Sequence, residues 1–432
     1  MKFHQIIKSL LPVICCSSAT GLWTGCASPR NSRASGRAEQ PESLVLKNLL
    51  EQNSGAFDTI LKNADTFRVQ VLYTQIDRKK NNKPVFTHHH FNADRQLYFY
   101  PASTVKLPIA LLALEKLEQL KKFGIDRNTA MITETNYSGQ TAVYNDPTAN
   151  DGKPSIAHYI KKIFLVSNND AFNRLYEFLG QEYINKALRK KSYNSSRISH
   201  RLSIDLPEIE NRHTNPVKLL NDTGSVLYQQ NGQSSTLKFS AQKVFIGRGY
   251  MKDQKLIHEP FDFSTKNEIS LADLHLVLQS VLFPGSVRKK QRFKISEDDR
   301  RFVLQYMSQY PSEALYPQYD SSVWDASGKL LLWGFQKAAI PKHIRIFNKV
   351  GGAYGFLTDV AYVVDFEKKI EFMVSATIYC NTDGIINDDR YDYEKYGFSF
   401  MKYVGQVLYD YEVSRDRKHL PDLTEFKMVY EK

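Results

Sequence analysis

Cysteine is scarce, with 4 in 432 residues. Cys15, Cys16 and Cys26 all lie near the start, and Cys380 stands alone further along. No internal disulfide can support the body of the fold if the leading segment is removed and Cys26 is modified. Long hydrophobic runs are also missing. The apolar stretch at 10–14 is too short and too interrupted to span a bilayer, and no other segment is long enough. No internal repeat stands out. No basic block is interleaved with residues that read base edges, which excludes nucleic acid as the natural partner. The formal net charge of +12 then reads as solvated surface, compatible with cell-wall polymers and anionic lipid head groups. Tyr and Phe number 25 each, but their scattering fits core and cleft walls better than a base-stacking platform.

Residues 1–26 resemble a bacterial lipoprotein signal. Lys2 and Lys8 give a positive start, and Thr24-Gly25-Cys26 is similar to the cleavage box whose cysteine is lipidated. The resemblance implies export, with the chain anchored through Cys26 in the cell envelope on the periplasm side. Residues 27–42, rich in Ser, Arg, Gly and Pro, read as a flexible tether. Residues 43–432 are expected to form one domain.

Three short motifs follow in order: Ser103-Thr-Val-Lys106, Ser167-Asn-Asn169 and Lys349-Val-Gly-Gly352. The bare Ser-x-x-Lys pattern recurs at Ser235/Lys238, Ser240/Lys243, Ser286/Lys289 and Ser399/Lys402, so pattern alone selects nothing. Ser103 is set apart by context, since it follows Tyr98-Phe-Tyr-Pro101 and opens a long apolar helix. A serine hydroxyl must lose its proton to a base as it attacks. Lys106, one helical turn away, is on the same face and can serve if burial or nearby positive charge lowers its pKa. Lys349 would supply that charge, and Ser167 would shuttle a proton between the two. The Asn169 amide can both donate to and accept from a substrate amide. At a helix N-terminus the Ser103 N–H can stabilise an oxyanion, with a second N–H from the strand carrying Gly351 and Gly352, assigned to Gly352.

The segments around these motifs resemble class A serine β-lactamases, within the penicillin-recognising serine hydrolases. The likeness covers about 65–220 and 270–410 and is strongest at the motifs. It implies Ser103 as nucleophile, Lys106 as its base, Ser167 as shuttle and Lys349 as electrostatic anchor, with Asn169, Gly351 and Gly352 contacting substrate. It implies a β-lactam or related amide as substrate, no cofactor and no metal, and a monomer. Three departures stand out. Val350 replaces a hydroxyl residue, Asn168 replaces the usual Asp, and the loop signature around a deacylating glutamate is missing. The corresponding stretch, 200–216, has a leading Arg201 and a closing Thr214-Asn-Pro216 that reads as a helix start. Glu208 and Glu210 are the candidate deacylation bases there, although ordinary solvated charges are the commoner case. A cell-wall D-Ala peptidase or esterase remains an alternative, as does a non-catalytic peptidoglycan-binding lipoprotein. Retention of Ser103, Lys106, Ser167, Asn169 and Lys349 together favours an enzyme.

His88-His-His90 does not make a metal site on a strand, because alternate side chains point to opposite faces. The expected fold class is α/β, similar to β-lactamases and transpeptidases. An antiparallel sheet built from both chain ends is flanked by helices, and a helical subdomain lies between. Strands are expected near 67–73, 85–92, 343–349, 359–366 and 370–379, and helices near 42–63, 103–121, 156–164, 170–179 and 396–411. Pro108 should kink the nucleophile helix. Insertions are expected near 221–268, as a hairpin or flap, and near 310–340, as an aromatic loop beside the third motif.

Overall fold

Strands from both ends of the chain form one antiparallel sheet: β1 (Gln70–Arg78), β2 (Pro84–Phe91), β3 (Ile344–Ala353), β4 (Phe356–Asp365) and β5 (Ile370–Tyr379). Their order across the sheet is β3-β4-β5-β1-β2. The computed structural model describes residues 43–432 apart from 53–54, 240–241 and 338. The signal and tether expected at 1–42, with Cys26, lie outside the described residues. Every residue of β4 and β5 is buried, as a central strand covered on both faces requires.

Five helices position the site or cover the sheet: α1 (Lys106–Leu120), α2 (Ile156–Val166), α3 (Asn169–Leu179), α4 (Leu271–Leu282) and α5 (Phe398–Ser414). One core joins α1 to α4 to one face of the sheet, through residues such as Leu112, Tyr159, Phe172, Leu278 and Val360. A second core packs α5 and the helix Leu44–Gln52 on the other face, through Leu50, Val71, Met401 and Leu408. The chain is thus α/β, with the sheet between two helical layers. Helix α1 is buried around its whole circumference from Lys106 to Leu114, which fits its central place between sheet and helical subdomain.

Several expectations are corrected. The helix expected over 42–63 is split into Leu44–Gln52 and Asp58–Lys62, with a 3-10 turn at Gly55–Phe57 where glycine weakens the helix. Pro108 produces no break. It falls in the first turn of α1, just after a 3-10 turn at Ala102–Val105, where a missing N–H costs little. Thr214-Asn-Pro216 opens a strand, Val217–Leu220, and not a helix. That strand is paired on both sides, with Ala130–Thr133 and Val226–Gln230.

Within 221–268 the hairpin is Gly249–Lys252 with Lys255–Ile257, joined at Asp253 and Gln254, both of positive φ. It docks in parallel on Ile385–Ile386. In the 310–340 stretch, Trp324 packs on Phe335, which stacks on Phe398 at the start of α5. Phe335 and Phe398 belong to the core on the face of the sheet away from α1. His88 and His89 take different partners, Thr74 and Ser43, as alternation along β2 demands.

Candidate active site

Pro101 and Ala102 turn the chain sharply into α1. Ala102 has φ 45, and Thr104 ties the turn by donating its N–H (3.0 Å) and hydroxyl (2.6 Å) to the Pro101 carbonyl. Ser103 sits in this turn, partly exposed, while Lys106 is fully buried one turn on. The Lys106 Nζ lies 2.8 Å from Ser103 Oγ. It also contacts the Ser167 carbonyl, Ser167 Oγ at 3.2 Å and Asn169 Oδ1 at 2.6 Å.

The second motif is fixed by two helix ends. Ser167 closes α2 in a left-handed conformation (φ 58), which turns its side chain back toward Lys106. Asn168, in place of the usual Asp, caps α3 by accepting the Ala171 N–H at 2.8 Å. Asn169 then begins α3 beside Lys106, and its Nδ2 donates to Ser203 Oγ at 2.6 Å.

From β3, Lys349 donates to Ser167 Oγ at 2.8 Å and to the Val350 carbonyl at 2.9 Å. Two residues further along the strand, Gly351 runs against the Pro101–Thr104 turn. A Cβ at Gly351 would lie 2.6 Å from the Pro101 oxygen and 2.9 Å from both the Ser103 and Thr104 nitrogens, so only glycine allows this approach. The structure therefore brings Ser103, Lys106, Ser167, Asn169, Lys349 and the Gly351–Gly352 backbone to one place.

Burial sets the charges. Desolvation, then the nearby Lys349 charge, holds the Lys106 ammonium well below the usual lysine range. Lys349 is lowered to about 7, chiefly by burial, against the raising influence of Asp359. Asp359 is raised to about 6 by its own burial. A neutral Lys106 beside a protonated Lys349 is the state in which one can accept a proton and the other attract an anion.

Glu208 and Glu210 take no part in this network. Glu208 pairs with Arg212 one turn along the short helix Glu208–Arg212. Glu210 accepts from Ser138 Oγ at 2.7 Å and packs against Gly139. The surrounding loop is pinned by Arg201, whose Nε donates to buried Glu177 at 2.9 Å and whose Nη2 reaches Asn215 at 3.1 Å. The residue that does reach the site from this loop is Ser203, held at φ 56. Sequence reasoning missed it, and no local pattern marks it, because its role depends on the turn that aims it at Asn169. Among the described residues, the hydrogen-bond partners of Lys106 and Asn169 include no carboxylate.

A serine, a buried lysine, a bridging serine and a second lysine, set between a sheet and a helical subdomain, fit a serine hydrolase of the β-lactamase and transpeptidase type. The model of the β-lactamase enzyme family matches residues 54–411, and the chain belongs to that family. No curated protein matches it. Among solved structures, a β-lactamase from Xanthomonas campestris aligns at 12% identity. The alignment covers 85% of this chain and 97% of that one, with a TM-score of 0.45. A class A β-lactamase from Clostridium kluyveri aligns at 16% identity over 84% and 98% of the two chains, with a TM-score of 0.44.

Proposed function

We propose that this chain is an exported, lipid-anchored serine hydrolase of the class A β-lactamase type, which opens a β-lactam or related amide through an acyl-enzyme on Ser103. The observation that carries the reading is the continuous contact path Ser103–Lys106–Ser167–Lys349. Ser103 Oγ attacks the carbonyl carbon while its proton passes to neutral Lys106 Nζ. The Ser103 and Gly352 N–H groups receive the oxyanion. As the tetrahedral intermediate collapses, the amide C–N bond breaks and Ser167 Oγ delivers a proton to the leaving nitrogen, replenished from Lys106. The Lys349 ammonium attracts the substrate's carboxylate, and Asn169 holds its amide side chain. Val350 adds no hydroxyl to that carboxylate site.

The contact between Asn169 and Ser203 favours a second reading, in which the substrate is a cell-wall D-Ala peptide and β-lactams are trapped. A serine hydroxyl is no base at neutral pH, so water reaching the acyl-enzyme is poorly activated and the ester persists.

Turnover of benzylpenicillin and release of D-Ala from a D-Ala-D-Ala peptide, compared between the parent and Ser103→Ala, test both readings. The parent is expected to process at least one and the variant neither. Equal rates in the two proteins would overturn the assignment of Ser103. Anchoring rests on Thr24-Gly25-Cys26. Cys26→Ser should move the chain from the membrane to the soluble fraction, and unchanged partition contradicts the anchor.

A further inference from the structure

Another buried lysine, Lys329, lies behind Lys349. Lys329 is 3% exposed, and all three of its ammonium protons have acceptors. They are the Met307 carbonyl at 2.6 Å, the Ile346 carbonyl at 2.9 Å and Asn348 Oδ1 at 2.7 Å. The Asn348 amide is locked in one orientation, because its Nδ2 donates to Asp359 Oδ1 at 2.8 Å and to the Gly328 carbonyl at 2.7 Å. The other Asp359 oxygen accepts the Leu330 and Leu331 N–H groups, both at 3.1 Å. Lys329 and Asp359 are therefore joined through one amide, with every polar atom used.

Asn348 and Lys349 are neighbours on β3, so their side chains leave opposite faces of the strand. Asp359 pairs with Val350 across the β3–β4 ladder. We propose that Lys329 and Asp359, bridged by the Asn348 amide, form a positioning unit behind Lys349 that fixes its strand and biases the charge on its ammonium. The inference rests on the reading of Lys349 as the ammonium of the site.

The surrounding charges leave Asp359 as the balancing carboxylate. Lys329 is faced by Asp359, Arg345, Glu313 and Asp325. Glu313 is taken up by Arg345, at 2.9 and 2.7 Å. Asp325 accepts from the Ser312 N–H at 3.0 Å and its hydroxyl at 2.7 Å. Lys349 is faced by Asp359 and Lys329, and lies close enough to Lys106 for their charges to interact. Asp359 thus favours the protonated Lys349, and Lys329 opposes it. A merely structural clip, holding 328–331 over the outer edge of β3, would fix the strand without setting that charge.

The test is a pH titration of the purified chain labelled with [13Cε]lysine, with the Lys349 resonance assigned through Lys349→Arg. Asp359→Asn is expected to lower the Lys349 midpoint by about one unit, and Lys329→Met to raise it by a similar amount. Lys329→Arg keeps the charge and should leave the midpoint near the parent value. Unmoved midpoints in folded Asp359→Asn and Lys329→Met overturn the proposal. If Asp359→Asn does not fold, Lys329→Met against Lys329→Arg decides alone, and equal midpoints in those two overturn it. Benzylpenicillin acylation followed across pH should shift in the same directions. Should the parent react with neither benzylpenicillin nor a D-Ala-D-Ala peptide, the functional reading falls, while the titration still decides the positioning unit.

Discussion

Lys106 and Lys349 meet at one hydroxyl: their ammonium nitrogens lie 3.2 and 2.8 Å from Ser167 Oγ. One comes from the first turn of α1 and the other from the edge strand β3. The Lys349 charge adds to burial in holding the Lys106 ammonium well below the usual lysine range.

This division predicts the pH dependence of acylation. Lys106 must be neutral to accept the Ser103 proton, and its lowered pKa makes it so where an ordinary lysine is charged. Lys349 must be protonated to attract an anion, and it loses its proton as pH rises through about 7. Acylation by benzylpenicillin should therefore decline on the alkaline side of about pH 7. Lys349→Met should react roughly 100-fold more slowly, without that decline. Stopped-flow rates between mildly acid and alkaline pH check this, and a parent rate that climbs steadily with pH contradicts it.

Gly351→Ala tests the close approach of β3 to the nucleophile turn. The added carbon meets backbone atoms, which cannot rotate away. A shift of the strand of about 1 Å can cost about 100-fold in rate, while overpacking costs about 1–3 kcal/mol of stability. Acylation rate and thermal unfolding, measured together, should show the rate loss as the larger effect.

Asn168→Ala removes the α3 cap and should cost about 1 kcal/mol in unfolding free energy. Because Ser167 and Asn169 flank it, acylation should slow as well. Asn168→Asp restores an acceptor for the Ala171 N–H and should recover both. Denaturant unfolding and acylation assays on the two variants provide the check.

Buried histidines should cost stability as pH falls below about 6.5. Burial lowers the His200 pKa to about 4, with Nδ1 2.6 Å from the Arg201 carbonyl and Nε2 accepting the Asn267 N–H at 3.1 Å. His275, lowered to about 3, sits between Thr74 and Ser375. In both cases the folded pKa lies below the unfolded value, so the unfolded chain binds more protons once pH drops below about 6.5. The stability they contribute is present above that pH and is lost as pH falls toward 4 and 3. Thermal unfolding at pH 7 and pH 5 should show the drop, and a smaller one in His200→Gln.

The meeting of Ser103, Lys106, Ser167 and Asn169 was legible because it is largely local in sequence: Ser103 and Lys106 share a helical turn, and Ser167 to Asn169 join two helices. Strands β3 to β5 showed as apolar runs, β5 at its observed bounds 370–379, while β3 runs on to Ala353 and β4 begins at Phe356. Loop 200–216 was misread at Thr214-Asn-Pro216 because sheet pairing on both sides outweighed the local helix-start pattern. Ser203 and Lys329 were invisible for a different reason. Each acts through a partner more than 15 residues away, Asn169 at 34 and Asn348 at 19, and nothing in the flanking residues encodes that meeting. Trp324 and Phe335 carry no sign in sequence of which face of the sheet they will cover.

The central claim is that Ser103 forms the acyl-enzyme. Its most direct measurement is the intact mass of the chain through a time course with benzylpenicillin, beside Ser103→Ala. A mass gain equal to the whole drug on the parent alone, mapped to the peptide bearing Ser103, is the predicted result. The same adduct on Ser103→Ala, or its mapping to another residue, would contradict the account.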